Sequence, residues 1–339
     1  MKSEVDCQSV SVLIHSSQFP AEVEVSLRAS LRSREMNHKF HYDTPRKSLQ
    51  WLRLHEVFSP ARTDPDCARI YEEVFTDCGA RFAGADQVEV LSLGCGGGQK
   101  DAQLLRNLMA STPAARLRYV PVDVSAGLTL IARSAAIEAG VDQSCIAPMC
   151  IDLAESSNWE SALCPVLSNA KKRIICFFGM LPNFVSKAVL PQLAGILRSG
   201  DFLLVSANLA PGLDYHAGVT RILPLYDNVP TRDWLWSVLT DLGVKPSEGE
   251  MRFSIVQCPK GDDLLRIESN VIFNEHCQIE YGGEKFEFAP GQFIRLLFSY
   301  RHTPDKLEAM LASHHISTRG RRVNKNGDEG VFLCERTGD

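Results

Sequence analysis

The sequence has no C-x-x-C pair, no block of like charges, no internal repeat and no apolar run long enough to cross a bilayer. Each absence removes a class of protein. Eleven cysteines is an odd count, and without metal-ligand spacing it points to reduced side chains rather than structural zinc or a disulfide framework. No metal is expected. The lack of a membrane span argues against insertion, and residues 1–11 carry acids and no long apolar run, so no secretory leader is expected. A net charge of -5, evenly spread, argues against nucleic acid or an anionic membrane as the main partner. Gly-Lys-Ser/Thr is absent, which removes the nucleotide phosphate loop. What is left is a cytoplasmic globular chain of 339 residues, 45% of them hydrophobic, long enough for one large domain or two smaller ones. A monomer is expected, though no feature fixes the oligomeric state.

The chain is organised around residues 88–101, reading Val-Glu-Val-Leu-Ser-Leu-Gly-Cys-Gly-Gly-Gly-Gln-Lys-Asp. Val88, Val90, Leu91 and Leu93 have the character of a buried strand. The glycines that follow let a ligand approach the main chain closely. A helix starting near Gln99 would aim its N-terminal amides at a carboxylate or phosphate. Such turns serve many nucleotide and cofactor sites, so the stretch alone does not choose among them.

Before it, residues 26–34 and 48–54 have the apolar spacing of short helices, separated by a polar-aromatic turn at 39–45, and 63–82 reads as one amphipathic helix. After it, strands and helices alternate. Strands are expected at 117–123, 145–152, 173–179 and 202–209, and helices at 126–139 and 185–197, with a tight turn at Ser199-Gly200-Asp201. Strands buried on both faces with helical crossovers predict a doubly wound α/β sheet. Residues 210–299 break the alternation, with a turn at 261–263 and strand-like runs at 264–273, 277–281 and 285–288. A helix at 304–313 and strands at 317–323 and 330–334 resume it. An insertion of about ninety residues is longer than a loop. The expected division is a cofactor domain of 63–209 plus 302–339 and an α+β substrate domain of 1–62 plus 210–301.

In an open α/β sheet the ligand lies across the carboxyl ends of the strands. Asp123 ends one strand, where a carboxylate can accept from both ribose hydroxyls. Asp152 ends the next and could meet an adenine amino group, with Leu153 against the ring. Gly179 ends the third. Either acid alone is as readily a helix cap. A nicotinamide site wants glycine where Gln99 stands. The glycine loop with acids after two successive strands fits S-adenosylmethionine best.

Five segments carry a resemblance: Phe40-His41-Tyr42-Asp43-Thr44, Leu93-Gly94-Cys95-Gly96 with Lys100, Val120-Pro121-Val122-Asp123-Val124, Phe178-Gly179-Met180-Leu181-Pro182-Asn183 and Leu225-Tyr226-Asp227-Asn228. From about Lys39 onward the chain resembles the histidine-specific methyltransferases of ergothioneine biosynthesis and their fungal dimethylallyltryptophan N-methyltransferase relatives. The resemblance implies a Rossmann-like class I methyltransferase sheet holding S-adenosylmethionine at Gly94, Cys95, Gly96, Lys100, Asp123, Asp152, Leu153 and Gly179, with a second domain for the substrate. It also implies that Asn183, Tyr42 and Tyr226 hold the amino and carboxylate groups of an amino acid, which an amide and two phenols can do without adding charge. Packing for the tyrosines and capping for Asn183 are the plainer readings of the residues by themselves.

There are departures. The turn from Gly179 to Asn183 is one residue shorter than the family's Gly-Ser-x-x-Gly-Asn. Alignment on Pro304 puts Leu297 and Ser299 where the family reads imidazole with a glutamate and a serine. The tyrosine expected before Arg62 falls at Val57 or Phe58. A leucine cannot hold an imidazole by hydrogen bond or charge.

The expected activity is S-adenosylmethionine-dependent N-methylation of a small amino acid or amine other than histidine. Histidine Nα-methylation and aminocarboxypropyl transfer are the alternatives, and a catalytically silent binding module a third. Only a neutral amine is nucleophilic, and a site of uncharged polar groups favours that form by desolvation. No catalytic base can be named; His41 and His55 are candidates by location only.

Overall fold

The computed structural model describes residues 9–112, 116–170, 172–258 and 263–337. The chain opens with β1 (Leu13–Ile14), α1 (Pro20–Ser33), α2 (Pro45–Phe58), α3 (Pro60–Thr63) and α4 (Pro65–Arg81). All four helices start with proline, whose fixed φ suits the first turn and whose missing N–H has no intrahelical acceptor there. Thr44 and Asp64 cap α2 and α4 by accepting from the amides of Lys47 and Asp66.

The alternating region follows as β2 (Gln87–Leu93), α5 (Gln99–Ser111), β3 (Arg116–Asp123), α6 (Ala126–Glu138), β4 (Met149–Cys150), α7 (Trp159–Leu163), β5 (Arg173–Phe178), α8 (Ser186–Ile196) and β6 (Phe202–Asn208). The inserted region holds α9 (Tyr215–Ile222), α10 (Val229–Asp241), β7 (Gly249–Gln257), β8 (Leu265–Phe273), β9 (Cys277–Tyr281), β10 (Glu284–Phe288) and β11 (Phe293–Arg301). The chain ends with α11 (Pro304–Ala312), β12 (Ile316–Val323) and β13 (Glu329–Arg336).

The main sheet has the order β1-β4-β3-β2-β5-β6-β13-β12. It is parallel from β1 to β6, while β13 runs against β6 and β12 against β13. Successive residues of its central strands serve opposite faces. Leu91, Leu93, Ile175 and Phe177 pack into one apolar core and Val88, Val90, Ile174 and Cys176 into the other, the two-residue period of a strand covered on both sides. The sheet is the expected doubly wound one, with the last two strands as an antiparallel hairpin. Strand 145–152 is cut down to Met149–Cys150. Asp142 caps a 3₁₀ turn over Gln143–Cys145, and Pro148 has no N–H for the ladder.

The expected tight turn before β6 is fixed by a buried ion pair. Arg173, at the start of β5, pairs with Asp201 and donates to the carbonyl of Ile196 at 2.7 Å. Asp201 also accepts from the Arg198 amide at 2.9 Å.

A second body of structure lies beside the sheet. β11, β8 and β7 form a three-stranded antiparallel sheet, and β9 and β10 a hairpin. Their core joins Leu27 and Leu31 of α1, Phe40, Trp234, Leu235 and Val238 of α10, and Val271, Ile294 and Leu296. β7 and β11 were not foreseen as strands, and the expected turn at 261–263 lies outside the described residues except for Asp263. Among the described residues no helix is long and apolar enough to cross a membrane.

Candidate active site

β2 ends at Leu93 and the glycine loop turns directly into α5. Gly94 has φ +69°, and a Cβ there would lie 2.4 Å from Met180 Sδ; Gly98 has φ +72°, and a Cβ there would lie 2.6 Å from Ala132 Cα in α6. Both positions therefore need glycine for conformation and for space. The Gly94 and Cys95 amides donate to Val122 O, at 2.8 and 3.0 Å. The Gly96 amide donates to Asp123 Oδ2 at 2.9 Å and the Ser125 amide to Asp123 Oδ1 at 3.0 Å. Burial lifts the Asp123 carboxyl to about 6.

Above this loop is a cavity of about 330 Å³, within the range of small-ligand sites. α2 forms one wall with Trp51, Leu54, His55 and Phe58; Trp51 lies against Gly96 and stacks on His55 with centroids 4.9 Å apart. Gly179, Met180 and Asn183, after β5, form a second. Tyr42, Tyr226, Trp234, Leu297, Ser299 and Arg301 form the third.

Ten of the sequence-predicted site residues line this one cavity: Tyr42, Gly94, Cys95, Gly96, Lys100, Gly179, Asn183, Tyr226, Leu297 and Ser299. Asn183 and Tyr226 thus face one space together with the glycine loop. Asp123, Asp152 and Leu153 do not line it. Asp152 is 3% exposed and accepts from Asn37 Nδ2 at 3.0 Å and the Ala154 amide at 2.8 Å. Leu153 packs near Trp159, whose Nε1 donates to its carbonyl at 3.0 Å. Ser48 Oγ lies 2.9 Å from Ser125 Oγ, so residues 37–48 cover this end of the sheet.

His41 is fully buried away from the cavity, with Nε2 2.8 Å from Leu296 O. His55 lines the cavity, but burial and the cations Lys100 and Arg62 lower it to about 3. An imidazole held so strongly neutral is a poor acceptor for an ammonium proton. Of the two positions open to the family's tyrosine, Phe58 lines the cavity and Val57 is 63% exposed.

Tyr71, Asn208, Glu329 and Arg301 also line the cavity and had no sequence signal. Lys100 Nζ donates to Tyr71 Oη at 2.6 Å, Tyr71 donates to Glu329 Oε1 at 2.5 Å, and Asn208 Nδ2 donates to Glu329 Oε2 at 3.1 Å. Burial lowers Lys100, and the charge of Glu329 opposes the shift. Arg301 is fully buried against Tyr226. Continuing the every-second-residue pattern of Leu297 and Ser299 along β11 would have found it.

The site fits the amino-acid end of S-adenosylmethionine on its own chemistry. A lysine, the bare main chain of the glycine loop and the carboxyl of Asp101 in the first turn of α5 face one space.

A search of curated protein sequences returns no match. Among solved structures, the chain is 12% identical to the methyltransferase CcbJ of Streptomyces caelestis, over 79% of this chain and 89% of that one, with a TM-score of 0.39. It is 12% identical to the magnesium protoporphyrin IX methyltransferase ChlM of Synechocystis PCC 6803, solved with bound S-adenosylhomocysteine, over 88% and 98% of the chains, with a TM-score of 0.43. The model of the histidine-specific, S-adenosylmethionine-dependent methyltransferases matches residues 22–232, more than half of the chain. The chain belongs to that family: it is an S-adenosylmethionine-dependent methyltransferase on a Rossmann-like class I sheet.

Proposed function

We propose that this methyltransferase acts on the amino group of a small amino acid or amino-acid-derived metabolite, and that histidine is a poor substrate. One observation carries the reading. Asn183, Tyr42 and Tyr226 face one cavity with the glycine loop and Lys100, and so does Leu297, which alignment on Pro304 matches to the imidazole-reading glutamate. When bound, S-adenosylmethionine supplies an electrophilic methyl group. The chain's own part is alignment and exclusion of water. Gly94, Cys95, Gly96, Lys100 and Gly179 hold the amino-acid end of the cofactor in this reading, and Asp123, Asp152 and Leu153 its adenosine. Asn183, Tyr42 and Tyr226 orient the substrate, and Leu297 and Ser299 meet its side chain.

The aromatic rings beside Asn183 and the buried Arg301 cation behind Tyr226 disfavour an ammonium there and so favour the neutral amine. Burial, reinforced by the Asp123 charge, holds the Tyr42 phenol well above its ordinary value, so Tyr42 stays a neutral donor. The cores support a division into a cofactor domain of 63–209 plus 302–339 and a substrate domain of 1–62 plus 210–301, with β1 of the first segment added to the edge of the main sheet and the protein acting as a monomer. Free cysteines such as Cys67, Cys78, Cys176 and Cys334 suit a reducing, cytoplasmic setting.

The test is incubation of the purified protein with isotopically labelled cofactor and pooled amino acids and amines, read by mass. Gain of methyl groups on an amino nitrogen supports the reading. Gain of an aminocarboxypropyl group replaces it with the alternative transfer, and efficient methylation of histidine removes the specificity claim.

A further inference from the structure

On β11 the residues Leu297, Ser299 and Arg301 line the cavity, as alternation along a strand requires. Phe298, on the other face, packs against His38 and Tyr300. Arg301 is 0% exposed. Its Nη2 bonds to Tyr226 Oη and lies 3.5 Å from Ser299 Oγ, and its guanidinium sits over the Tyr226 ring, 4.7 Å from the centroid. Nε and Nη1 have no hydrogen-bond partner. Among the described residues no acid forms an ion pair with it. The carboxylates whose charge reaches it, Glu329 and Asp328, make their hydrogen bonds elsewhere: Glu329 with Tyr71 and Asn208, and Asp328 with Asn324 Nδ2 at 2.6 Å.

A buried guanidinium keeps its proton and is costly without a counter-anion. Its planar array of N–H groups matches a carboxylate. We infer that Arg301, with Tyr226 and Ser299, is an anchor for a carboxylate of the substrate. The inference rests on the proposed amino-group methylation and narrows it: amines without a carboxylate are excluded as good substrates. The carboxylate is either the α-carboxylate or one carried by the side chain, and the two sources are separable by experiment.

The first arm needs no substrate. In the full chain labelled with ¹⁵N-arginine, the Arg301 Nε–H signal is identified by its loss in Arg301→Lys. Acetate shifts that signal, and chloride at equal ionic strength does not. Acetate moving it no more than chloride overturns the inference.

The second arm offers amino acids, their decarboxylated amines and their methyl esters with labelled cofactor. Transfer to acids but not to their amines assigns the α-carboxylate, and transfer confined to members with an acidic side chain assigns the other source. Equal kcat/KM for acids, amines and esters overturns the inference. No transfer to any member, with the acetate response intact, overturns amino-group methylation and leaves the anion site standing. Arg301→Met lowers kcat/KM for the acid roughly 10- to 100-fold, mainly through KM, with cofactor affinity unchanged by calorimetry. An equal loss of cofactor affinity marks Arg301 as a structural residue instead.

Discussion

Lys39 Nζ lies 3.2 Å from Asp152 Oδ2 and 2.9 Å from Glu155 Oε2. Lys39 and Asp152 come from the segment before α2 and the stretch just after β4, and both are almost wholly buried. Every acceptor direction of Asp152 that an adenine amino group would use is taken by Lys39, Asn37 or local amides. If adenosine binds at Asp123, Asp152 and Leu153, residues 37–48 must draw back. Hydrogen exchange of peptides covering 37–48 is therefore expected to quicken when cofactor binds. Cofactor bound with exchange there unchanged or slowed would remove the three residues from its site.

Asp123→Ala belongs to the same reading. Loss of hydrogen bonds to a charged acceptor is expected to weaken S-adenosylmethionine binding by about 1.5–3 kcal/mol. Calorimetry on the folded variant checks it, and unchanged affinity contradicts it.

Much of this site was legible because its parts are local. The glycine loop is one continuous stretch, and Tyr42, Asn183 and Tyr226 each sit in a short motif. What was hidden had no local pattern. Tyr71 and Glu329, which meet beside Lys100, stand 258 residues apart in the chain. β11 was missed as a strand because Leu296, Leu297 and Phe298 are consecutive apolar residues and a bulge falls between Arg295 and Leu297, which breaks the period of two. Arg301 was lost with it. The cover over Asp152 is a tertiary contact of buried charges that residue order cannot reveal.

The Arg173–Asp201 pair is expected to fix the joint between β5 and β6. Asp201→Ala leaves a buried guanidinium unpaired and should destabilise the fold by roughly 3–5 kcal/mol in chemical unfolding. Replacing both residues, as Arg173→Met with Asp201→Leu, should recover much of the loss. Equal instability of the single and double variants would show that the turn itself, not the charge, is what matters.

Burial lifts the carboxyls of Asp101 and Asp123 to about 6, from 3.8. Between those values the folded protein binds more protons than the unfolded chain, so stability falls as pH rises through this window and stays lower above it. At about 1.4 kcal/mol per pH unit for each proton, either group contributes roughly 3 kcal/mol. Asp101→Asn removes its share, since an amide can still accept from Tyr119. Urea unfolding from pH 4 to 7 should give a shallower decline for the variant, and parallel profiles would contradict the assignment.

Leu297 is the sharpest departure from a histidine site. Purified protein should methylate histidine poorly, and Leu297→Glu should raise histidine turnover by restoring a carboxylate beside Ser299. Efficient methylation of histidine by the unaltered protein, at micromolar substrate, contradicts the reading.

The central claim is that one cavity holds an amino acid by its backbone end, in the clamp of Asn183, Tyr42 and Tyr226. Steady-state kinetics of Asn183→Ala and Tyr226→Phe on the best substrate from the pooled assay, set against calorimetric cofactor affinity, tests it most directly. The account predicts that kcat/KM falls at least tenfold in each variant while S-adenosylmethionine binds as before. Methylation at the unaltered rate in both, with the cavity otherwise intact, would contradict it.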